Sequence, residues 1–376
     1  MLSGRGVIER LPIYYPNSIN VASAIVDSMT EFSSAKQDRL ANNLNALSQV
    51  VGGEQAYIQA LEATNPDDNN MVNENTITTI DTVLSAVAER TSSSGISSAT
   101  EGMASGDTPN GASVWTKVLY NKAKLDSTSV YAGFKSKSNG LALGVDKLIS
   151  KDIKLGIGYA YTDGDIKNNT RKSDVDTHTA ILYGEYKPSN WFVNGSISYG
   201  WSDYSNKAFS ALGTTKSDFD VYATAIQLNS GYDINVTNTT ILTPVIGMRY
   251  INVAQDSYKD SDDKYIAKSH SDIVTALASA KLKKSFELSN STIIAPEARL
   301  GVSYDIVNDG ANSVVRLSNG SSYIVEGRAL KRFGIEAGAG VTAELNDNWE
   351  LSAGYEGHFR KDYHDHTGML NLKYNF

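Results

Sequence analysis

The chain closes on His364-Asp365-His366-Thr367-Gly368-Met369-Leu370-Asn371-Leu372-Lys373-Tyr374-Asn375-Phe376. Counting back by twos from the terminal aromatic gives Phe376, Tyr374, Leu372, Leu370 and Gly368. The residues between are Asn375, Lys373, Asn371, Met369 and Thr367. Successive strand side chains point to opposite faces, so one face is apolar and aromatic and the other mostly polar. A soluble domain has little reason to keep its terminus apolar. A strand between hydrocarbon and a polar lumen does.

From residue 112 onward the same period of two recurs. Ile153, Leu155, Ile157, Tyr159 and Tyr161 alternate with Lys154, Gly156, Gly158, Ala160 and Thr162. Trp191, Val193, Ile197, Tyr199 and Trp201 alternate with Asn194, Ser196, Ser198, Gly200 and Ser202, and Phe333, Ile335, Ala337, Ala339, Val341 and Leu345 with Glu336, Gly338, Gly340, Thr342 and Glu344. About twelve such strands are expected, with the registers near Ala112 and Asp176 left open. Tight connections are expected at residues 150–152, 188–190, 235–238, 289–291 and 346–348, interleaved with longer polar ones at 125–137, 166–173, 205–217, 255–269 and 307–331. Short turns on one side and long loops on the other are the habit of membrane barrels. The fold class expected is an all-β transmembrane barrel of about twelve antiparallel strands, preceded by an α-helical segment with a helix in the lumen.

A charge at the bilayer midplane costs about 2–4 kcal/mol on the lipid face. With the apolar set outward, Arg249, Glu297, Arg299, Glu336, Glu356 and Lys373 all fall inward. Lys147 faces outward but close to a tight turn, where it can snorkel. Pro244 and Pro296 are misfits in a hydrogen-bonded ladder, each early in its strand.

Composition permits this. The 376 residues contain no cysteine, which suits a chain that crosses an oxidising compartment unfolded. Thirty glycines and twenty-one tyrosines fit strands with small inward residues and interfacial aromatics. The mean hydropathy is −0.29 and no run of eighteen apolar residues occurs, so a transmembrane helix is excluded while a barrel is not. A net charge of −8 argues against nucleic acid as a partner.

Upstream the period is helical. Leu40, Leu44, Leu47 and Val51 fall on one stripe within residues 20–63, with Ile25, Val26, Met29 and Phe32 before them and a break at Gly52-Gly53. Residues 65–70 form a linker. A second helix is expected over residues 75–90, about 24 Å long, with the stripe Ile77, Ile80, Leu84 and Val87, ending at Arg90 and capped by Asn75 or Thr76. A small surface helix is the plainer reading of that stripe. The Ser- and Gly-rich residues 91–111 read as a connector. Three parts follow: 1–73, 74–111 and 112–376. Residues 1–10 lack the basic start and apolar core of a signal peptide. Export would then require a longer chain with this sequence at its end.

The terminal pattern Leu370, Leu372, Tyr374 and Phe376 resembles the assembly signal of Gram-negative outer-membrane barrels. The chain as a whole resembles the translocator unit of an autotransporter, the type V secretion family. Leu44-Asn45-Ala46-Leu47 and Gly53-Glu54-Gln55-Ala56-Tyr57 are similar to the stretch that ends autotransporter passengers. Ala88-Glu89-Arg90 is similar to the end of the pore helix, and Val114-Trp115 to the first-strand opening. Asn139-Gly140-Leu141-Ala142-Leu143-Gly144 resembles the second strand and residues 349–354 the penultimate one. Serine-rich loops and asparagine content resemble the surface-antigen autotransporters of obligate intracellular bacteria. The resemblance implies a monomeric barrel set among outer-membrane lipid and lipopolysaccharide and inserted by the barrel-assembly machinery. It would export its own passenger as a hairpin and keep Ile77, Ile80, Leu84, Val87 and Arg90 on a helix plug against the lumen charges. No cofactor is implied.

Asn42-Asn43 resembles the self-cleavage pair of one autotransporter subgroup, but it precedes the first strand by too many residues to sit in the lumen. A cut elsewhere, for example near Asn73, stays open. His358, Asp362, His364, Asp365 and His366 cluster at the last hairpin, where they could hold a metal or imitate an omptin protease; a polar loop rim is the plainer reading. No nucleophile, phosphate-loop or zinc motif is present. A stand-alone porin, an adhesin and an omptin-like enzyme are the competing functions.

Overall fold

A computed structural model describes residues 4–11, 15–67, 70–91, 111–288, 292–345 and 348–376. Twelve antiparallel strands form the barrel: β1 (Ala112–Leu125), β2 (Phe134–Ser150), β3 (Ile153–Lys167), β4 (Arg171–Tyr186), β5 (Trp191–Ser210), β6 (Gly213–Tyr232), β7 (Thr240–Gln255), β8 (Ser269–Lys284), β9 (Ile293–Asn308), β10 (Phe333–Glu344), β11 (Trp349–Arg360) and β12 (Tyr363–Asn375). Each pairs with its sequence neighbour, and β12 returns to β1 in a ladder running from Ser113–Asn375 to Leu125–Tyr363. The sheet is therefore closed and leaves no barrel edge unpaired.

The two undecided registers are now fixed. In β1, Val114, Val118 and Tyr120 are exposed while Trp115, Lys117 and Leu119 are buried; in β4, Leu182 is exposed while Ile181 and Tyr183 are buried. The outward set is apolar around the barrel belt, and it includes Ile246 at 68 %, Leu300 at 64 %, Leu370 at 59 % and Phe376 at 70 % exposed. Pro244 and Pro296 stand where one flanking ladder stops. The β6–β7 pairing ends at Val245 and the β8–β9 pairing at Glu297, each one residue short of the ring nitrogen that lacks a proton.

Strict alternation of short and long connections does not hold. Strands β3 and β4 are joined at residues 168–170, and β5 and β6 at 211–212, where loops were expected. A membrane needs about 9–11 residues per strand, whereas β5 and β6 have 20 each. Beyond Asp203 and Asp220 their outward residues turn mostly polar or charged (Ser205, Lys207, Asp218, Lys216 and Thr214, with Phe209 the exception) while the pairing continues. A strand without an apolar face reads as a loop. At the opposite end, residues Ile234–Thr237 fold back on β7, which moves the expected turn to 238–239; 289–291 and 346–347 lie outside the described residues.

Among the described residues, five helices precede the barrel: α1 (Gly4–Ile8), α2 (Pro16–Val21) continued by a π-helical turn at Ala22–Val26, α3 (Ala35–Ser48), α4 (Glu54–Thr64) and α5 (Met71–Thr91). Leu44 is buried as its stripe requires, but Met29 and Val51 are fully exposed because both fall in bends outside the helices. Gly52, at φ 74°, supplies the reversal between α3 and α4.

Candidate functional site: an occupied lumen and its cap

Helix α5 lies inside the barrel. It starts at Met71, four residues before the expected Asn75, because Asp67 caps it: the Met71 and Val72 amides donate to the two Asp67 carboxylate oxygens at 3.0 and 2.9 Å. Its 21 residues extend about 32 Å. Ile80, Leu84 and Val87 are buried and Ile77 is half-buried; the Arg90 side chain lies outside the described residues. The apolar stripe meets a matching patch of the inner wall. Val83, Ala86 and Val87 pack with Trp115, Leu119, Ala142, Ala160, Ile181, Tyr183 and Met369. Gly200 lets the helix approach the wall, since a Cβ there would stand 2.7 Å from Ile80 Cδ1.

The polar part of α5 is matched as well. Asn75 donates to the Tyr204 hydroxyl, and the Thr76 and Thr78 hydroxyls lie 2.8 and 2.7 Å from those of Tyr204 and Tyr363. Ser271 donates to Asn73 at 2.7 Å, and Lys117 Nζ donates to the Ala86 carbonyl at 2.8 Å. Asp81 pairs with Arg249 at 3.1 Å. These partners make α5 a lumen element rather than a surface helix.

Of the six inward charges read from the sequence, Arg249 is thus joined to the helix. Arg299 sits 2.9 Å from Glu356 and 3.7 Å from Glu336. With Glu297, Arg299 and Glu356 line a void of about 40 Å³ that also touches Ser85 and Ala88 of α5. Glu336 borders a second void of about 50 Å³ beside Thr78 and Asp81. Each holds at most a few waters. Lys373 departs from the expected helix contact: its ammonium is 3.1 Å from Glu350 on the neighbouring strand.

Outside the barrel, the other helices and the long loops fold together. Segments Tyr258–Lys259, Tyr265–Ile266, Ser313–Arg316 and Ser322–Val325 form a four-stranded sheet. Ile266, Val315, Leu317, Tyr323 and Val325 from these loops share a core with Ile19, Ile25, Leu44, Tyr57 and Leu61 from the helices. Burial pushes the Tyr57 and Tyr323 hydroxyls above their ordinary range. Arg171, at the start of β4, donates to the carbonyls of Glu62, Asn65 and Pro66, and Lys264 donates to that of Thr64. Two cations thereby grip the C-terminal end of α4. This cap was not legible in advance, since its partners are up to 309 residues apart, as in the Asn17–Glu326 contact.

The histidine cluster is divided. His358 faces inward, 3.0 Å from Asp365, whereas His364 and His366 lie beside each other with Tyr355 and Phe359 on the outer wall. Among the described residues no group of three His, Cys, Asp or Glu side chains could hold a metal. Asn42 and Asn43 are exposed on α3, and Asn73 is buried in the lumen.

Leu370, Leu372, Tyr374 and Phe376 all lie on the outer face of the wall. The Tyr374 ring stands 4.8 Å from Trp349 and 5.0 Å from Phe376, and the Phe376 amide donates to the Ala112 carbonyl at 2.9 Å. A closed barrel with an apolar wall, a charged lumen and a helix inside it defines an outer-membrane β-barrel protein.

The family profile described as Autotransporter beta-domain matches residues 114–356, so the chain belongs to the autotransporter family. It is 25 % identical to outer membrane protein B of Rickettsia prowazekii (strain Madrid E) over 74 % of its length, and 24 % identical to outer membrane protein A of Rickettsia conorii (strain ATCC VR-613 / Malish 7) over 96 %. It spans only 18 % and 19 % of those two proteins. Its fold matches the translocator domain of the autotransporter NalP from Neisseria meningitidis, with TM-score 0.58, 17 % identity, 72 % of this chain and 90 % of that one. It also matches the transport unit of AIDA-I from Escherichia coli, with TM-score 0.54, 14 % identity, 73 % and 93 %. The chain is an outer-membrane translocator domain.

Proposed function

We propose that the barrel carries its own N-terminal passenger across the outer membrane and then keeps α5 as a plug. The observation that carries this is the side-chain match between α5 and the inner wall, above all the Asp81–Arg249 pair at 3.1 Å. Both ends of the barrel lie at the turn end, which faces the periplasm, so α5 enters the lumen from the opposite side and helices α1 to α4 stand outside the cell. Leu370, Leu372, Tyr374 and Phe376 present the pattern that the barrel-assembly machinery reads at the periplasmic side. The outer wall is solvated by lipid and lipopolysaccharide, around a single-chain barrel. Residues 1–73 form the passenger junction, 74–111 the pore helix and connector with its first turn drawn back to Met71, and 112–376 the translocator. Transport of this kind contains no catalytic step.

Planar-bilayer recording tests this. The full chain is expected to conduct weakly, and the same barrel lacking residues 1–91 to form a large, steady pore. Equal conductance of the two would refute the plug.

A further inference from the structure

Six lysines stand in one unbroken row across six adjacent strands. Lys124 is the register partner of Lys135, Lys135 of Lys167, Lys167 of Lys172, Lys172 of Lys207, and Lys207 of Lys216. All lie on the outward parity, shared with Val118, Leu141, Ile157, Leu182, Ile197 and Ile226 of the lipid face. A second pair, Lys122 and Lys137, lies two residues below its left end. At about 4.8 Å between strands, the row covers about 24 Å of the rim.

Like charges directly opposite each other destabilise a sheet, and Asp165, Asp174 and Asp218, two residues inward on the same face, offset only part of that repulsion. Carboxylates take two of its members: Asp126 lies 2.6 Å from Lys124 and Asp174 lies 2.9 Å from Lys172. Among the described residues, Lys135, Lys167, Lys207 and Lys216 have no ion-pair partner. The row is also one-sided. The corresponding ends of β9 to β11 present Ile306, Phe333 and Phe359 instead.

What lies beneath the row narrows the partner. Just beyond the outward aromatics Tyr161, Trp201 and Tyr222, a row of carboxylates crosses four strands: Asp163 opposite Asp176, Asp176 opposite Asp203, and Asp203 opposite Asp220; Asp165 opposite Asp174, and Asp218, follow two residues further out on the same face. At the height where a glycerophospholipid carries its phosphate, this wall is negative. The positive row stands four residues further out, about 13 Å along the strand. A partner must therefore bring its anionic groups away from the acyl chains, on sugars.

We propose that the lysine row binds the anionic saccharide headgroups of outer-leaflet glycolipid, so that β1–β6 carry a preferred lipid shell. The proposal rests on the outer-membrane placement of the barrel and adds a site to it.

Binding to nanodiscs is the test, with phosphatidylglycerol bilayers doped with rough lipopolysaccharide bearing phosphorylated inner-core sugars, with lipid A alone, or with neither. The chain with Lys167, Lys172, Lys207 and Lys216 all changed to Gln is compared with wild type and with the corresponding Lys→Arg chain. Wild type and the Arg chain are expected to retain the core-bearing glycolipid, and the Gln chain to lose at least about tenfold in affinity with a flatter salt dependence. Equal retention by all three, or no preference for core sugars over lipid A, overturns the proposal. So does lysine-dependent capture of soluble heparin that competes away the glycolipid, which would make the row a receptor for a free polyanion. Failure of the wild-type chain to insert as a heat-modifiable barrel is a separate result, and it would sink the membrane placement itself.

Discussion

Asp81 and Arg249 meet where α5 passes β7, both mostly withdrawn from solvent. Removing one partner of such a pair strands the other, at a cost of roughly 3 kcal/mol. Arg249→Ala should therefore loosen the plug and raise the frequency of open events in bilayer recordings. The charge swap Asp81→Arg with Arg249→Asp should restore much of the closed state; independent effects of the two changes would mean that the pair does not hold the helix. Asp263 offers a test at the cap. It accepts from Ser34 at 2.7 Å and from Lys36 at 3.2 Å, and these bonds hold its carboxyl below the ordinary 3.8. A folded-state pKa below the unfolded one stabilises above about pH 4 and is lost as pH falls through the lowered value. Protection of α3 from protease should be flat from neutral pH down to about 5 and decline below about 4, and Asp263→Asn should flatten that decline.

At the scale of elements, the junction between α4 and α5 joins cap to plug. Arg171 donates to three carbonyls there, and charged hydrogen bonds contribute about 1.5–3 kcal/mol each. Arg171→Ala should weaken cap docking by about 2 kcal/mol or more, read as at least about tenfold faster proteolysis between α4 and α5 in the membrane-inserted protein. Unchanged proteolysis would mean that the apolar core alone holds the cap. The elements also differ in how far the sequence announced them. Strands with an apolar outward face, such as β3 up to Tyr161 and β12, were readable because lipid demands period two. The outer halves of β5 and β6 were not, since their outward residues are mostly aspartate, lysine, serine and threonine, with Phe209 alone apolar. The stripe of α5 was readable, but its start was not: residues 71–76 are mostly polar, and their burial depends on Tyr204 and Ser271 from distant strands. The inward charges followed from the cost of exposing them to hydrocarbon, whereas the choice of Glu350 for Lys373 depended on a register that spacing alone does not fix.

For the whole molecule, closure of β12 on β1 is the last event the fold needs, and the terminal aromatics sit at that seam. Phe376→Gly should lower the yield of inserted barrel in cells several-fold while refolding in detergent stays near wild type, because the wall loses little packing at a 70 % exposed residue. Equal losses in both settings would place the effect in stability rather than assembly. The central physical claim is a barrel whose lumen is filled by its own helix. The chain has no cysteine, so two can be introduced cleanly. Ile80→Cys with Gly200→Cys places thiols where helix and wall touch, and Ser198→Cys with Ala225→Cys, register partners in the wall, serves as control. Cross-linking in intact outer membranes with a short bifunctional thiol reagent should join both pairs. A control pair that joins while residues 80 and 200 stay separate would show a lumen that α5 does not occupy.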